Sequence, residues 1–142
     1  MSRLGEAIED YLKAIYMITH EEGSSEEVAS TQEIADYLEV SPASASKMLV
    51  KLDRMGLVSH EPYKGAKLTT QGQRVALEII RHHRLIELYL HKMLGYGWEE
   101  VHEEAEKLEH YISEQMEERM FAILGKPETD PHGEIIPSTE GS

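Results

Sequence analysis

The sequence contains no cysteine, and this absence excludes several kinds of site at once. Disulfide frameworks, thiolate zinc sites, iron–sulfur clusters and cysteine nucleophiles all require that residue. Long apolar runs are also missing, since none approaches the roughly 20 residues that a membrane-spanning helix needs. The first residues lack the apolar segment of a signal peptide. We therefore expect a cytoplasmic protein with no membrane partner, whose 142 residues form one compact domain or two small ones.

Positive charge is scarce as well. The chain has 14 lysines and arginines against 27 aspartates and glutamates, so its formal net charge is −13, which argues against nucleic acid as a partner. The charge is unevenly distributed, however: residues 1–40 carry −8, residues 41–92 carry +5 and residues 93–142 carry −10. A basic middle between two acidic flanks indicates one part that meets a polyanion and another that gathers cations.

Apolar residues at helical spacing predict a helix from Gly5 to about Glu22. A capping box, in which a serine is followed three residues later by a glutamate, opens a short helix over residues 31–38. Ser41-Pro42 then begins a helix that ends near Met55, because serine is a preferred cap and proline fits the first helical position. Two helices joined by so short a turn are typical of a helix-turn-helix motif.

A small basic hairpin follows the helix-turn-helix. Residues 57–61 and 66–69 read as short strands around the turn Pro62-Tyr63-Lys64-Gly65. Three helices followed by such a hairpin predict a winged helix.

The second half of the sequence is predicted to be helical. A long helix runs from Thr70, taken as its cap, to about Leu94, and residues 98–124 continue as one helix or two. The expected fold is therefore mainly α: a winged-helix DNA-binding domain at residues 1–70, then an all-helical domain at residues 71–137. A short disordered tail is expected at residues 138–142.

Histidines and carboxylates at helical spacing indicate a metal site in this second half. His102, Glu106, Glu109 and His110 share one helix face, and His83 and Glu87 stack at i and i+4 on the preceding helix. Asp10 is the odd member of an otherwise apolar stripe on the first helix. Nitrogen and oxygen donors without thiolate suit first-row divalent ions. The alternative is that these are ordinary acidic surface helices in which eight histidines cluster by chance.

Catalysis is not expected, and neither is a small organic substrate. His102-Glu103-x-x-Glu106 begins like a zinc-protease motif, but it lacks the second histidine that the motif needs. The nucleophile elbow, the P-loop and the dinucleotide fingerprint are all missing from the sequence.

The helix-turn-helix supplies the candidate DNA contacts. The start of a recognition helix meets base edges and phosphates, whereas lysines act as point charges on phosphates. The candidates are Thr31, Gln32, Ser41, Pro42, Ala43, Ser44, Ser46, Lys47, Lys51, Lys64 and Lys67. His82, beside His83, is expected to face solvent, and Trp98 is expected in the core.

With these motifs together, the chain resembles the metal-dependent repressors of the diphtheria toxin repressor family, in particular the two-domain manganese transport regulators. The resemblance covers about residues 6–137. The matching stretches are DYLKAIY at 10–16, the helix-turn-helix at 34–56, LTTQG at 68–72, RHHRLIE at 81–87, VHEEAEKLEH at 101–110 and PHGEIIP at 131–137.

The resemblance implies a homodimer that binds a palindromic double-stranded operator. In it residues 71–137 would form the metal-binding and dimerisation domain. It assigns a primary metal site to Asp10, Glu106, Glu109 and His110, and an ancillary site to His83, Glu87 and His102. In the iron-sensing branch the positions of Asp10 and Glu106 carry methionine and cysteine. The carboxylates here favour Mn²⁺, with Fe²⁺, Co²⁺, Zn²⁺ or Cd²⁺ as substitutes.

One departure concerns Lys13, whose position is an acidic second-metal ligand in some manganese regulators. Since lysine cannot serve as that ligand, a close binuclear arrangement is not expected, and the presence of His83, Glu87 and His102 favours the separated two-site layout. The sequence also stops before the SH3-like third domain of longer members, so we expect no ligand from such a domain. An iron- or zinc-responsive regulator of the same fold, and a metal-binding or hydrolytic protein without DNA, remain the alternatives.

Overall fold

The computed structural model describes residues 4–20, 27–130 and 133–138. The chain divides into two compact units, one comprising Leu4–Ala76 and the other beginning at Leu77. Within the described residues six helices and a two-stranded hairpin make the protein mainly helical, which confirms the predicted fold class. The elements are α1 (Glu6–His20), α2 (Thr31–Leu38), α3 (Pro42–Arg54), β1 (Val58–Glu61), β2 (Gly65–Leu68), α4 (Thr70–Leu94), α5 (Val101–Leu108) and α6 (Glu114–Ile123).

The two helices of the predicted helix-turn-helix begin at the caps that the sequence indicates. The Ser30 hydroxyl accepts a hydrogen bond from the Glu33 N–H at 3.0 Å, and the Glu33 carboxylate accepts one from the Ser30 N–H at 2.9 Å. This reciprocal capping box satisfies two N–H groups that have no partner within the helix. At the start of α3 the Ser41 hydroxyl accepts from the Ser44 N–H at 3.1 Å, and Pro42 occupies the first helical position.

The core of the first unit lies where the apolar faces of α1, α2 and α3 meet the hairpin. Removing these side chains from water supplies most of the stability of such a unit. Its buried members include Leu12, Ile15, Ile34, Ala45, Leu49, Leu52, Leu57, Val58 and Ala66.

The hairpin is antiparallel, with Val58 paired to Leu68 and Glu61 paired to Gly65. Ala29, which precedes α2, adds an isolated bridge to Ala66 on the free edge of β2. Gly65 is required at this point. A Cβ there would lie 2.0 Å from the Ala29 carbonyl oxygen, and its φ of +126° disfavours other residues.

The residue that caps helix α4 lies one position earlier than the sequence predicted. The Thr69 hydroxyl, rather than Thr70, accepts the hydrogen bond from the Gly72 N–H at 3.1 Å. Gly72 also lets the helix approach the hairpin, because a Cβ there would lie 2.0 Å from the Leu57 carbonyl oxygen.

The second unit contains two separate helices after α4, which resolves the choice that the sequence left open. The chain turns after Leu108, and Ser113 caps α6 by accepting from the Met116 N–H at 3.1 Å. One small core joins α4 to α5 and α6 through Ile86, Leu90, Val101, Ala105 and Met120. Another joins Leu85 and Leu88 of α4 to Ile136 of the tail, with Phe121 of α6 packed against them.

The expectation that Trp98 is a core residue is wrong. It is 49% exposed and contacts the ring of His91 in a tilted arrangement, with ring centroids 4.3 Å apart. It precedes α5 in a turn, where no apolar face directs it inward.

The tail folds back on itself near its end. Thr129 forms a bridge with Ile135, and the Ile136 N–H donates to the Glu128 carbonyl at 2.7 Å. Residues 21–26, between α1 and the start of α2, and all but Ser138 of the predicted tail at 138–142, lie outside the described residues. No helix in the described ranges combines the length and apolarity needed to cross a membrane.

Candidate metal centre and nucleic-acid interface

One turn of α4, Arg81–Arg84, consists of four polar residues that are all buried. Apolar residues flank this turn on both sides, and almost every residue from Leu77 to Leu90 is buried. A helix covered on all faces directs even adjacent side chains into protein. The sequence-based expectation that His82 faces solvent is therefore wrong.

His83, Glu87 and His102 come together in the second unit. His83 and Glu87 are one turn apart on α4, and His102 reaches them from α5. His83 Nε2 lies 3.2 Å from Glu87 Oε2 and 3.1 Å from His102 Nδ1, and His102 Nδ1 lies 3.4 Å from Glu87 Oε2. The two α4 residues are buried, whereas the side chain of His102 is 59% exposed. The cluster therefore has one side open to solvent.

The remote nitrogen of each histidine in the cluster faces a carboxylate. His83 Nδ1 lies 2.7 Å from Glu109 Oε1, and His102 Nε2 lies 2.6 Å from Glu106 Oε1. At these distances each remote N–H donates to its carboxylate. A carboxylate in this outer position fixes the tautomer and orientation of a metal-binding imidazole.

These hydrogen bonds decide which atoms face one another inside the cluster. An imidazole that keeps its single proton on the remote nitrogen turns a lone pair inward, and in that form the inner nitrogens of His83 and His102 face each other and Glu87 Oε2 as acceptors. Three lone pairs at such short separations repel unless a proton or a metal cation lies among them. The donor set, two imidazole nitrogens and a carboxylate oxygen, suits a first-row divalent ion, so the residues present fit such a cation.

Glu109 and His110 follow directly at the end of α5, and both are buried. Glu109 Oε2 lies 4.0 Å from His110 Nε2, while its Oε1 faces His83. The structure thus brings six of the candidate ligands into one unit and joins them in a chain of contacts from Glu106 to His110. Glu106 contacts His102 in this arrangement.

A second buried network lies beside the cluster, and sequence reasoning missed it. His82 Nε2 lies 2.9 Å from Glu117 Oε2 on α6, and Arg81 Nε also donates to the Glu117 carboxylate. Burial alone lowers the pKa of His82, but the hydrogen bond and charge of Glu117, with the Glu109 carbonyl, bring it above its ordinary value. Burial likewise raises the pKa of Glu117, and the contacts with His82 and Arg81 outweigh this, so that it lies below its usual range.

Asp10 lies in the first unit, on α1, where it is partly buried. Lys13 follows it by three residues on the same helix and is partly buried too.

The candidate DNA-contacting residues lie on an open face of the first unit. On α3 the buried residues Ala45, Leu49 and Leu52 point to the core, and the opposite face is exposed. That exposed face carries Ser41, Pro42, Ala43, Ser44, Ser46, Lys47 and Lys51. Val50 is exposed among them, which the sequence did not single out. An apolar side chain at such a face can contact a thymine methyl group.

The other basic candidates lie on the hairpin. Lys64 and Lys67 are exposed there, and Lys64 Nζ lies 3.7 Å from Glu61 Oε2. On α2, Gln32 is exposed and its amide donates to Asp36 at 2.8 Å, whereas Thr31 is partly buried. The Ser41 hydroxyl both caps α3 and contacts the Ser44 hydroxyl at 2.9 Å.

Comparison with known proteins decides the family. Residues 3–66 match the family model described as "Iron dependent repressor, N-terminal DNA binding domain". Residues 69–138 match the model described as "Iron dependent repressor, metal binding and dimerisation domain". The chain belongs to the iron-dependent repressor family.

The proteins that this chain resembles include some whose names refer to iron and some whose names refer to manganese. The iron-dependent repressor IdeR of Mycobacterium leprae is 38% identical over 137 residues, which cover 96% of this chain and 58% of IdeR. The transcriptional regulator MntR of Lysinibacillus sphaericus is 30% identical, over 96% of this chain and 93% of MntR. A solved structure described as a manganese-dependent transcriptional repressor in complex with manganese is 42% identical, with a TM-score of 0.86. It is matched over 95% of this chain and 60% of its own.

The chain therefore spans somewhat more than half the length of IdeR and of the manganese-dependent repressor. Its two units correspond in order to the two family domains, DNA binding first and metal binding with dimerisation second.

Proposed function

We propose that the protein is a transcriptional repressor that binds Mn²⁺ and then a palindromic operator as a homodimer in the cytoplasm. Its role is regulation of metal-uptake genes rather than catalysis. The observation that supports this best is the convergence of His83 Nε2, Glu87 Oε2 and His102 Nδ1 within 4.8 Å of one another. The same chain carries a winged helix with an exposed basic face, so a cation site and a DNA-binding surface are combined in one molecule.

The chemistry of the donors supports Mn²⁺ as the preferred cation. The chain has no cysteine, so every candidate ligand offers nitrogen or oxygen, and carboxylate-rich sets suit Mn²⁺. Imidazoles also bind Fe²⁺, Co²⁺, Zn²⁺ and Cd²⁺, which we propose as substitutes. Since one relative is named for iron and a similar solved structure for manganese, an iron- or zinc-responsive regulator is the second candidate.

Two sets of ligands are proposed. The first is His83, Glu87 and His102, whose geometry fits a cation directly. The second is Glu106, Glu109 and His110, with Asp10 as a further ligand from α1. Support for the second set comes from the family resemblance and from the burial of Glu109 and His110. Carboxylates and imidazoles would supply a cation there with hard donors only.

The winged helix is proposed to read the operator with α3 in the major groove. Residues at the start of α3 would meet base edges, and the lysines of α3 and the hairpin would meet phosphates. A homodimer presents two copies of α3 to half-sites about 34 Å apart, which is one turn of DNA.

A DNA-binding titration tests the proposal. Duplexes are first selected from a random pool with the protein and Mn²⁺, and a labelled selected duplex is then followed by fluorescence anisotropy. Affinity should rise when Mn²⁺ is added and fall back with excess chelator. Glu87→Gln should lose this response, because it removes the buried carboxylate of the cluster. Glu103→Gln on α5 removes the same charge from an exposed position and should respond like the wild type.

Three results would contradict the proposal or redirect it. If Mn²⁺ leaves the DNA affinity unchanged in the wild type, the repressor mechanism is wrong. If cations bind but no duplex is selected, the protein is a metal buffer whose winged helix binds another protein. If anaerobic Fe²⁺, or Zn²⁺, activates DNA binding at far lower free concentration than Mn²⁺, the second candidate replaces the first.

A further inference from the structure

The ring of His82 lies between two elements that follow α4. Its Nδ1 is 3.0 Å from the backbone carbonyl oxygen of Glu109, at the end of α5, and its Nε2 is 2.9 Å from Glu117 Oε2, on α6. Both ring nitrogens are therefore within hydrogen-bond distance of protein oxygens. Because His82 is buried and occupied on both sides, it is placed to hold protein groups rather than to bind a cation itself.

The contact with Glu109 completes the end of α5. The last carbonyl groups of a helix have no partner within the helix, and Glu109 is the C-cap residue of α5. Its N–H donates to the Ala105 carbonyl at 2.8 Å, and its own carbonyl accepts from His82. With both backbone groups held, the Cα–Cβ direction of Glu109 is fixed. That direction brings Oε1 to within 2.7 Å of His83 Nδ1 and determines where His110 begins.

Glu117, the other hydrogen-bond partner of His82, is also held in place. The Glu117 carboxylate also accepts from Arg81 Nε, and Arg81 donates a further hydrogen bond to the Pro137 carbonyl at 2.8 Å. The guanidinium carbon of Arg81 lies 4.7 Å from the centre of the Phe121 ring. Glu117 therefore cannot follow His82 if the end of α5 moves.

We propose that His82 and Glu117 form a clamp that holds Glu109, and with it His110, in the orientation needed for cation binding. His82 is thus a positioning residue, whereas His83 beside it is a ligand. The inference rests on the proposed function for what is bound. It predicts that loss of the clamp lowers cation affinity in a protein that is still folded, because outer partners of metal ligands are typically worth 10–100-fold in affinity.

The test compares four variants of the full chain. His82→Phe removes both hydrogen bonds while keeping a buried ring. Glu117→Gln keeps a polar partner: neutral His82 can then accept from the Gln amide through Nε2 and still donate from Nδ1 to Glu109. His91→Phe is the matched control, since His91 also lies on α4 and its Nδ1 contacts a backbone carbonyl, that of Tyr96, at 2.9 Å. His82→Gln is used if His82→Phe does not fold, because one amide cannot span both partners.

Mn²⁺ affinity is measured by isothermal titration, the melting temperature of the metal-free protein by circular dichroism, and the coordination of the bound ion by its paramagnetic resonance spectrum. We expect at least a tenfold loss of Mn²⁺ affinity and an altered spectrum for His82→Phe or His82→Gln. Glu117→Gln and His91→Phe should stay within about threefold of the wild type.

Two results would overturn the clamp. One is a His82 variant that melts earlier but binds Mn²⁺ with wild-type affinity and spectrum, which would make the role purely structural. The other is an equal loss of affinity in His91→Phe. A wild-type protein that binds no Mn²⁺ in this titration overturns the proposed function together with the clamp, so the two failures are distinguishable.

Discussion

Glu106 lies at an exposed position of α5, and its carboxylate contacts the outer nitrogen of His102. The same carboxylate belongs to the second set of ligands proposed above. Glu106→Cys separates these roles, because a thiolate is a soft ligand that favours ions other than Mn²⁺. We expect activation of DNA binding by Fe²⁺ or Co²⁺ to rise relative to activation by Mn²⁺, measured anaerobically by anisotropy.

Glu103→Cys on the same helix is the control for adding a thiol at an exposed site. It should leave the ranking of the metals as in the wild type. An unchanged ranking in Glu106→Cys as well would show that Glu106 is no ligand.

At the same scale, the two neighbouring histidines of α4 show what the sequence could predict. The i, i+4 spacing of His83 and Glu87 is a local pattern, and it identified residues that the structure brings together. His82 depends on α5 and α6, which approach α4 only in the folded unit. A usable signal was present, since apolar residues flank positions 81–84 on both sides and indicate a helix buried all round.

Among the elements, the hairpin depends most strongly on one residue. A Cβ at position 65 would lie 2.0 Å from the Ala29 carbonyl oxygen, at a φ of +126°. We expect Gly65→Ala to lower the free energy of unfolding of the first unit by about 2–4 kcal/mol, from overpacking and backbone strain together. Chemical denaturation followed by circular dichroism measures this loss.

Gly95→Ala is the matched control, because its φ is +75° but nothing lies within 4 Å of the added Cβ. It should cost about 1–2 kcal/mol, from the backbone alone. Equal losses at the two positions would mean that the approach of Ala29 to the hairpin is unimportant for stability.

The elements that the sequence predicted well are those with local start and stop signals. Ser30 and Glu33 set the start of α2, and Ser41 with Pro42 set that of α3. The break between α5 and α6 could not be decided, because its residues carry no proline or glycine and the α6 cap, Ser113, is a single serine. Trp98 was misassigned for a related reason: a large apolar residue usually lies inside, but a turn gives it no inward face.

For the whole molecule, the net charge of −13 sets the conditions under which DNA can bind. The basic segment at 41–92 must contact phosphates closely enough to overcome the general repulsion. With roughly 6–10 phosphate contacts, the affinity should fall about 10³–10⁵-fold between 50 and 200 mM salt. Lys64→Ala should weaken binding to all duplexes alike, whereas Ser44→Ala should weaken the selected operator most. An affinity that is flat over this salt range would contradict DNA binding through phosphates.

The proposed function also predicts coupling between cation and DNA, which involves the whole molecule. Asp10 is a proposed ligand carried by the DNA-binding unit, so Asp10→Asn should keep the fold and residual Mn²⁺ binding but lose most of the metal-stimulated DNA affinity. By reciprocity the operator should tighten Mn²⁺ binding in the wild type by the same factor, typically 5–150-fold, and far less in the variant. Titrations of Mn²⁺ with and without operator measure both.

Glu27→Gln, an exposed change of the same charge in the same unit, should behave as the wild type in these titrations. If Asp10→Asn binds operator as well as the wild type at saturating Mn²⁺, Asp10 is not part of the coupling.

The single turn Arg81–Arg84 has a consequence for how the second unit is assembled. Its four side chains reach α5, α6 and the tail, where Arg81 and Arg84 donate to the carbonyls of Pro137 and Ile135. In an intermediate with one of these segments undocked, a charged or polar side chain in the middle of α4 would be left in an apolar setting without its acceptor. Such intermediates are costly, so the unit should open as one cooperative block. Hydrogen exchange should then give α6 and the residues around Ile136 the same opening free energy as the centre of α4.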